Sequence, residues 1–195
     1  MALLDYNEIK ERKYIVYEGE PYEVVESHVA RKQMGKPQNQ TKLKSLLSGK
    51  VIPISFHASE TVAEADITNR EAKYLYANKG EFWFCEPENP KNRFKIEESV
   101  LGGKQKYLKE NTLVRTMVFE YKDEERIIGI KLPIKITLEV KEAPPSIKGN
   151  TSSGGDKLVT LETGAQVTVP LFIVEGDRVV VNTDTGEYVE RFTEK

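Results

Sequence analysis

A single cysteine, Cys85, occurs among the 195 residues of this chain. An intramolecular disulfide is therefore impossible, and a thiolate metal cage is excluded. Cys85 ends the apolar run Glu81-Phe82-Trp83-Phe84-Cys85, where a buried structural thiol is expected rather than a nucleophile. Histidine is nearly as scarce: His28 and His57 stand 29 residues apart with no carboxylate-rich segment between them. No nucleophile elbow, Walker lysine motif, HExxH or GxGxxG pattern is present. Asp123-Glu124-Glu125 lacks the spacing of a calcium loop and reads as a wet turn. No catalytic residues, no metal site and no cofactor are expected. Apolar runs are short as well. None approaches the ~18 residues that a membrane-spanning helix requires, and Met1-Ala2-Leu3-Leu4-Asp5-Tyr6 lacks the features of a secretory signal. A cytoplasmic protein without a membrane partner follows.

A further absence is local. From Ser27 to Ser59 there is no Asp or Glu, while Arg31, Lys32, Lys36, Lys42, Lys44 and Lys50 give that stretch a formal charge of +6. The net charge is −2, so the remainder of the chain stands at −8. Attraction to phosphate follows local cation density rather than net charge, so this segment reads as an RNA-binding surface. Lys42 and Lys44 are its expected contacts to the RNA backbone.

Apolar content of 38% suffices to build cores, and the apolar residues fall in strand patterns. Lys13 to Tyr17 and Tyr22 to Val29 read as strands on either side of Gly19. Thr41 to Leu47 alternates at its start. Val51 to Phe56 contains Pro53, which places that strand at an edge or a bulge. Between Ala30 and Gln40 the chain is polar, carries Gly35 and Pro37, and is expected to form the exposed tip of a long hairpin. Tyr74-Leu75-Tyr76 and Glu81 to Phe84 flank a tight turn. Lys95 to Tyr107 is polar and is expected to hold one short helix interrupted by Gly102-Gly103. Leu113 to Tyr121 and Arg126 to Ile130 form another strand pair. Ile134 to Val140 alternates almost without fault, Lys148 to Asp156 reads as a surface loop, and Val167 to Ile173, Asp177 to Asn182 and Tyr188 to Phe192 supply the last strands. The expected fold is mostly β, with three consecutive small barrels at residues 1–66, 67–132 and 133–195. Single cores of this size are marginal, so packing between the units is expected to help.

The segments Lys157-Leu158-Val159 and Gly164-Ala165-Gln166-Val167-Thr168-Val169-Pro170, running on to Gly176, closely resemble the C-terminal signature of bacterial elongation factor P. Val159 stands where that family has alanine. Gly19-Glu20-Pro21-Tyr22, Thr41-Lys42-Leu43, Ala63-Glu64-Ala65-Asp66 and Thr185-Gly186-Glu187-Tyr188 carry the likeness along the whole chain. The resemblance implies a KOW/SH3-like barrel followed by two OB-fold barrels. It also implies a translation elongation factor, not an enzyme, that binds the ribosome beside the peptidyl-tRNA. Such a factor stimulates peptide-bond formation and relieves stalling at consecutive prolines. The expected partners are both ribosomal subunits, the peptidyl-tRNA and a tip-modifying enzyme, with the factor itself a monomer. By the same likeness, Arg31, Lys32, Gln33, Met34, Gly35 and Lys36 form the tip that meets the tRNA CCA end. Gly149, Asn150, Thr151, Tyr188 and Arg191 face the small subunit and exit site, with Asn150 where many relatives have aspartate.

The tip departs from the family pattern, which is commonly Pro-Gly-Lys-Gly with an enzymatically lengthened lysine. Counting back from Thr41, the modified position falls on Met34, which accepts no such modification. Three readings are open. The tip works unmodified with Met34 against the CCA end, or Lys32 or Lys36 takes the apex and the modification, or the protein is a divergent paralogue. The unmodified tip is preferred. The alternative function is that of a general RNA-binding OB/SH3 protein such as an RNA chaperone.

Overall fold

The computed structural model describes residues 2–30, 36–145 and 155–193. Strands come in three runs. The first holds β1 (Leu3–Asp5), β2 (Tyr14–Tyr17), β3 (Glu20–Ala30), β4 (Gln38–Ser45), β5 (Val51–His57) and β6 (Thr61–Ala63). The second holds β7 (Asp66–Asn78), β8 (Glu81–Cys85) and β9 (Arg93–Glu97), then the one-turn helix α1 (Glu98–Leu101) and a 3-10 turn (Lys104–Tyr107), then β10 (Leu113–Tyr121) and β11 (Glu124–Lys131). The third holds β12 (Lys135–Glu142), β13 (Asp156–Leu161), β14 (Gln166–Pro170), β15 (Arg178–Asn182) and β16 (Tyr188–Arg191).

The strands form sheets of order β2-β3-β4-β5, β11-β10-β7-β8-β9 and β14-β13-β12-β15-β16, with β1 paired to β6. This is the mostly β, barrel-like architecture that the strand spacing predicts. Pro53 lies in β5, an edge strand, where its missing N–H costs no ladder bond. Three hairpins close through two-residue turns with both φ positive: Glu18-Gly19, Lys79-Gly80 and Lys122-Asp123. Left-handed backbone at both positions matches the twist of the flanking strands.

The chain divides into two compact units, residues 1–70 with 116–129 and residues 71–115 with 130–195. In the first, Ile9, Ile15, Val24 and Leu43 are fully buried beside Leu4, Phe56 and Val62. A second cluster joins Val16 and Ala65 to Phe119 and Ile128. In the second unit, alternate residues of β12 to β15, such as Leu138, Val140, Val159 and Val181, fill the core. Burial at every second position is what period-two patterning requires of a sheet with one dry face.

Several local expectations need correction. The segment 95–107 does not hold only a polar helix. Its start belongs to β9, and Tyr107, 4% exposed, packs among Leu138, Val159 and Val181. Thr163 Oγ1 donates to the Lys106 carbonyl (2.6 Å), and Lys109 pairs with Glu162 (2.7 Å). The polar run Lys104-Gln105-Lys106 ahead of it hides Tyr107 from a periodicity argument. Strand β14 stops at Pro170 rather than Ile173, since Pro170 ends the ladder and accepts the Ile173 N–H in a turn. Asp156 begins β13 instead of closing a loop. Likewise β4 ends at Ser45, whose hydroxyl accepts the N–H groups of Leu47 and Ser48 and bends the chain away. The turn at Asp123 is shorter than expected, with Glu124 and Glu125 already in β11.

Candidate nucleic-acid interface

The basic segment lies on β3, β4 and β5, with β4 central. Along β4 the inward side chains are Asn39, Thr41, Leu43 and Ser45, all buried, and Gln40, Lys42 and Lys44 alternate outward. Strict alternation follows from the pleat. Cross-strand register then builds the outer face: His28 opposite Gln40 and Ser55, Glu26 opposite Lys42 and Pro53, Glu23 opposite Lys44 and Val51.

The last two pairs of this register carry a surprise for the charge argument. Glu26 lies one residue before the acid-free stretch, yet its carboxylate sits 2.9 Å from Lys42 Nζ. Lys44 faces Glu23 across the ladder. Of the two residues expected to meet RNA phosphates, then, Lys42 has an ion-pair partner and Lys44 an acidic neighbour. Both members of the Lys42–Glu26 pair are more than half exposed. An exposed pair contributes at most about 1 kcal/mol, so exchanging Glu26 for a phosphate costs little.

Lys36 is exposed just ahead of β4, where the Pro37 carbonyl accepts the Ala58 N–H (3.2 Å) and ties the start of β4 to the end of β5. Arg31, Lys32, Gln33, Met34 and Gly35 lie outside the described residues, as do Gly149, Asn150 and Thr151. The expected exposed tip is shorter than residues 30–40. Strand β3 continues to Ala30 and β4 starts at Gln38, so the last cross-strand pair is Ala30–Gln38.

Sequence reasoning missed what lies inside this end of the hairpin. Asn39, placed in the polar tip by composition, is fully buried. Its Nδ2 donates to the carbonyls of Tyr6 (2.6 Å) and Ile9 (2.8 Å). Ser27 Oγ lies 2.7 Å from the same Ile9 carbonyl and 3.1 Å from Asn39 Oδ1. The signal was available: the alternation of Thr41 and Leu43, extended two residues back, turns Asn39 inward.

Tyr188 and Arg191 sit on β16 in the second unit. Tyr188 is half-buried against the core of that unit. Burial pushes its phenol above the ordinary value, opposed by a hydrogen bond from the Arg191 backbone. Arg191 Nη2 reaches Asp177 Oδ1 at 2.9 Å, and Asp177 Oδ2 accepts the Val174 N–H at the same distance. Both residues therefore have structural partners at the end of the barrel. Among the described residues, no group of three or more His, Cys, Asp or Glu is arranged to hold a metal ion, and no helix is long and apolar enough to cross a membrane.

Residues 5–62 match the family model for the elongation factor P KOW-like domain, and residues 136–191 match the model for the elongation factor P C-terminal domain. Elongation factor P of Thermosipho africanus is 39% identical over 97% of this chain and its own full length. That of Carboxydothermus hydrogenoformans is 36% identical over the same shares. Among solved structures, eukaryotic translation initiation factor 5A from Methanococcus jannaschii aligns with a TM-score of 0.52 over 68% of this chain and 92% of its own, at 13% identity. That likeness speaks to the fold alone. A KOW-like barrel joined to further β barrels, matched along its length by translation factors, defines a non-enzymatic factor of protein synthesis. The chain belongs to the elongation factor P family. It is a translation elongation factor, and its partner is the ribosome.

Proposed function

We propose that the protein binds the ribosome beside the peptidyl-tRNA and directs residues 31–36 toward the CCA end, where it speeds peptide-bond formation at consecutive prolines. The observation that carries this reading is the β3–β4 hairpin. Its arms, with β5, carry the acid-free, lysine-rich segment, with Lys36 exposed just ahead of β4 and Lys42 and Lys44 on the outer face of β4. Proline has a fixed φ and is awkward to align as a nucleophile. Holding the peptidyl end in an attack-ready geometry recovers rate that misalignment loses, without chemistry from the factor. Lys42 and Lys44 contact RNA phosphates, with Lys42 exchanging its exposed Glu26 partner. Gly149 to Thr151, Tyr188 and Arg191 form the contact to the small subunit and exit site.

The tip functions unmodified, with Met34 at the apex. Addition of a modifying group to Lys32 or Lys36 by a tip-modifying enzyme is the competing state, and intact-mass measurement of the protein from its native cells separates the two. The factor works as a monomer in the cytoplasm, in three domains: KOW/SH3-like (1–66), central OB-fold (67–132) and C-terminal OB-fold (133–195). Family matches at 5–62 and 136–191 support the outer two. A general single-strand reader is the weaker reading. Such proteins need accessible cations beside stacking aromatics. Tyr76 and Trp83 do stack, with centroids 6.2 Å apart, but the adjacent Lys95 is held by Glu81 at 2.7 Å.

Purified protein is expected to relieve arrest at Pro-Pro-Pro in a reconstituted translation system. No relief, beside a working family member, overturns the proposal. Within that assay, Lys32→Ala with Lys36→Ala is expected to lower activity far more than Lys79→Ala with Lys91→Ala. Equal losses would show that the tip has no special role.

A further inference from the structure

Few buried side chains hold the end of the β3–β4 hairpin. On β3 the last buried apolar residue is Val24, and beyond it Val29 is 48% exposed. On β4, Asn39 is the first buried residue met on leaving the tip. Few apolar contacts therefore fix the ends of the two arms at Ala30 and Gln38. Asn39 and Ser27 take that place. Both Asn39 amide hydrogens are committed, one to Tyr6 O and one to Ile9 O, in the turn that follows β1. The Ser27 hydroxyl, on the opposite arm, lies within hydrogen-bond reach of both Ile9 O and Asn39 Oδ1. One polar knot thus joins both arms of the hairpin to a third segment, next to the last pairs of the ladder, Val29–Asn39 and Ala30–Gln38. A planar amide donating to two fixed carbonyls has directional preference that an apolar contact lacks. Asn39 stands in register with buried Phe56 on β5 and has no exposed surface of its own, so its amide bonds inside the fold rather than to solvent.

We propose that Asn39 and Ser27 are positioning residues: they aim the tip loop by locking the hairpin root to the Tyr6–Ile9 turn. This rests on the reading that residues 31–36 meet the tRNA end. Neither side chain touches RNA itself. A tip held in the wrong direction still binds through the rest of the protein but loses attack-ready alignment, so the loss falls on the maximal rate and not on affinity.

The test uses the full chain in the Pro-Pro-Pro arrest assay, with the rate of the next peptide bond measured against factor concentration. Asn39→Ala, Ser27→Ala, the double variant, and Lys32→Ala with Lys36→Ala are compared, each with its thermal transition. Asn39→Ala is expected to lower the maximal rate about tenfold, with less than a twofold change in the half-saturating concentration. Ser27→Ala removes one hydroxyl, leaves the Asn39 donors, and is expected to lose less while folding normally. The double variant should fall no further than Asn39→Ala alone, because the two residues act as one knot. An unchanged maximal rate in folded Asn39→Ala and Ser27→Ala, while the lysine variant is impaired, overturns the positioning role. So does a loss confined to the half-saturating concentration. If the lysine variant is fully active, the tip reading itself fails, and the positioning role with it.

Discussion

Glu162 in the second unit is the charged group whose removal has the most readable consequence for stability. Its Oε1 accepts from Lys109 Nζ at 2.7 Å and from the Glu139 N–H at 3.0 Å. The side chain is 23% exposed and that of Lys109 is 40% exposed. Burial acts to raise the Glu162 pKa, but the hydrogen bonds from Lys109 and Glu139 outweigh it and hold the carboxyl below its ordinary value. A carboxylate with a depressed folded pKa adds stability above the unfolded value of about 4.3 and loses it as pH falls through the folded value. Glu162→Gln keeps the side-chain length and an acceptor oxygen while deleting the charge. The backbone hydrogen bond drops from charge-assisted to neutral, worth about 1 kcal/mol. The half-exposed lysine adds about 0.5 kcal/mol after solvent screening. A total near 1.5 kcal/mol corresponds to a fall of roughly 3–6 °C in Tm for a chain of this size. Calorimetry from pH 7 to pH 3 is the assay. The gap between native and variant should be full at pH 7, shrink below about pH 4 and close once Glu162 is protonated in both states. A gap that stays constant over this range would show that shape, not charge, is responsible. No gap at pH 7 would show that the pair contributes nothing.

Three further outcomes are expected. Gly186 has φ +76°, and a Cβ there would lie 2.6 Å from the hydroxyl of buried Tyr107, whereas Gly164 has φ +82° with open space around it. Gly164→Ala should therefore show only the left-handed backbone cost of about 1–2 kcal/mol. Gly186→Ala should lose more, and equal Tm values would mean that Tyr107 moves aside freely. Leu43→Ala empties a fully buried site in the first unit and should cost about 2–5 kcal/mol, read by denaturant titration; under 1 kcal/mol would show that the barrel collapses into the space. Glu26→Gln frees Lys42 and should tighten ribosome binding at low salt, with the gain fading as salt rises. A gain independent of salt would point to a cause other than charge.

Much of this molecule was legible in residue order because β structure writes its period into the chain. The alternation of Ile136, Leu138 and Val140 marked β12 and its buried face, and Pro53 marked an edge or a bulge, of which the structure has the edge. The family likeness rested on local motifs, which residue order carries in full. Other features had no local signature. Tyr107 joins a core whose other buried members come from residues 138–181, and the residues just before it are Lys104, Gln105 and Lys106. Strand β9 is short and charged, so pairing with β8 creates it rather than propensity.

The basic hairpin divides along the same line. Sequence by itself determined that residues 27–59 carry cations without acids, because charge is a property of each residue. Only the tertiary structure decided which charges have partners. Register across β3 and β4 brings Glu26 to Lys42 and Glu23 opposite Lys44, and register depends on the whole ladder. It also decided that Asn39, polar by type and lying amid polar neighbours, is a buried anchor. An amide can be buried only where fixed acceptors receive it, and those acceptors, Tyr6 O and Ile9 O, stand more than 25 residues away in the chain.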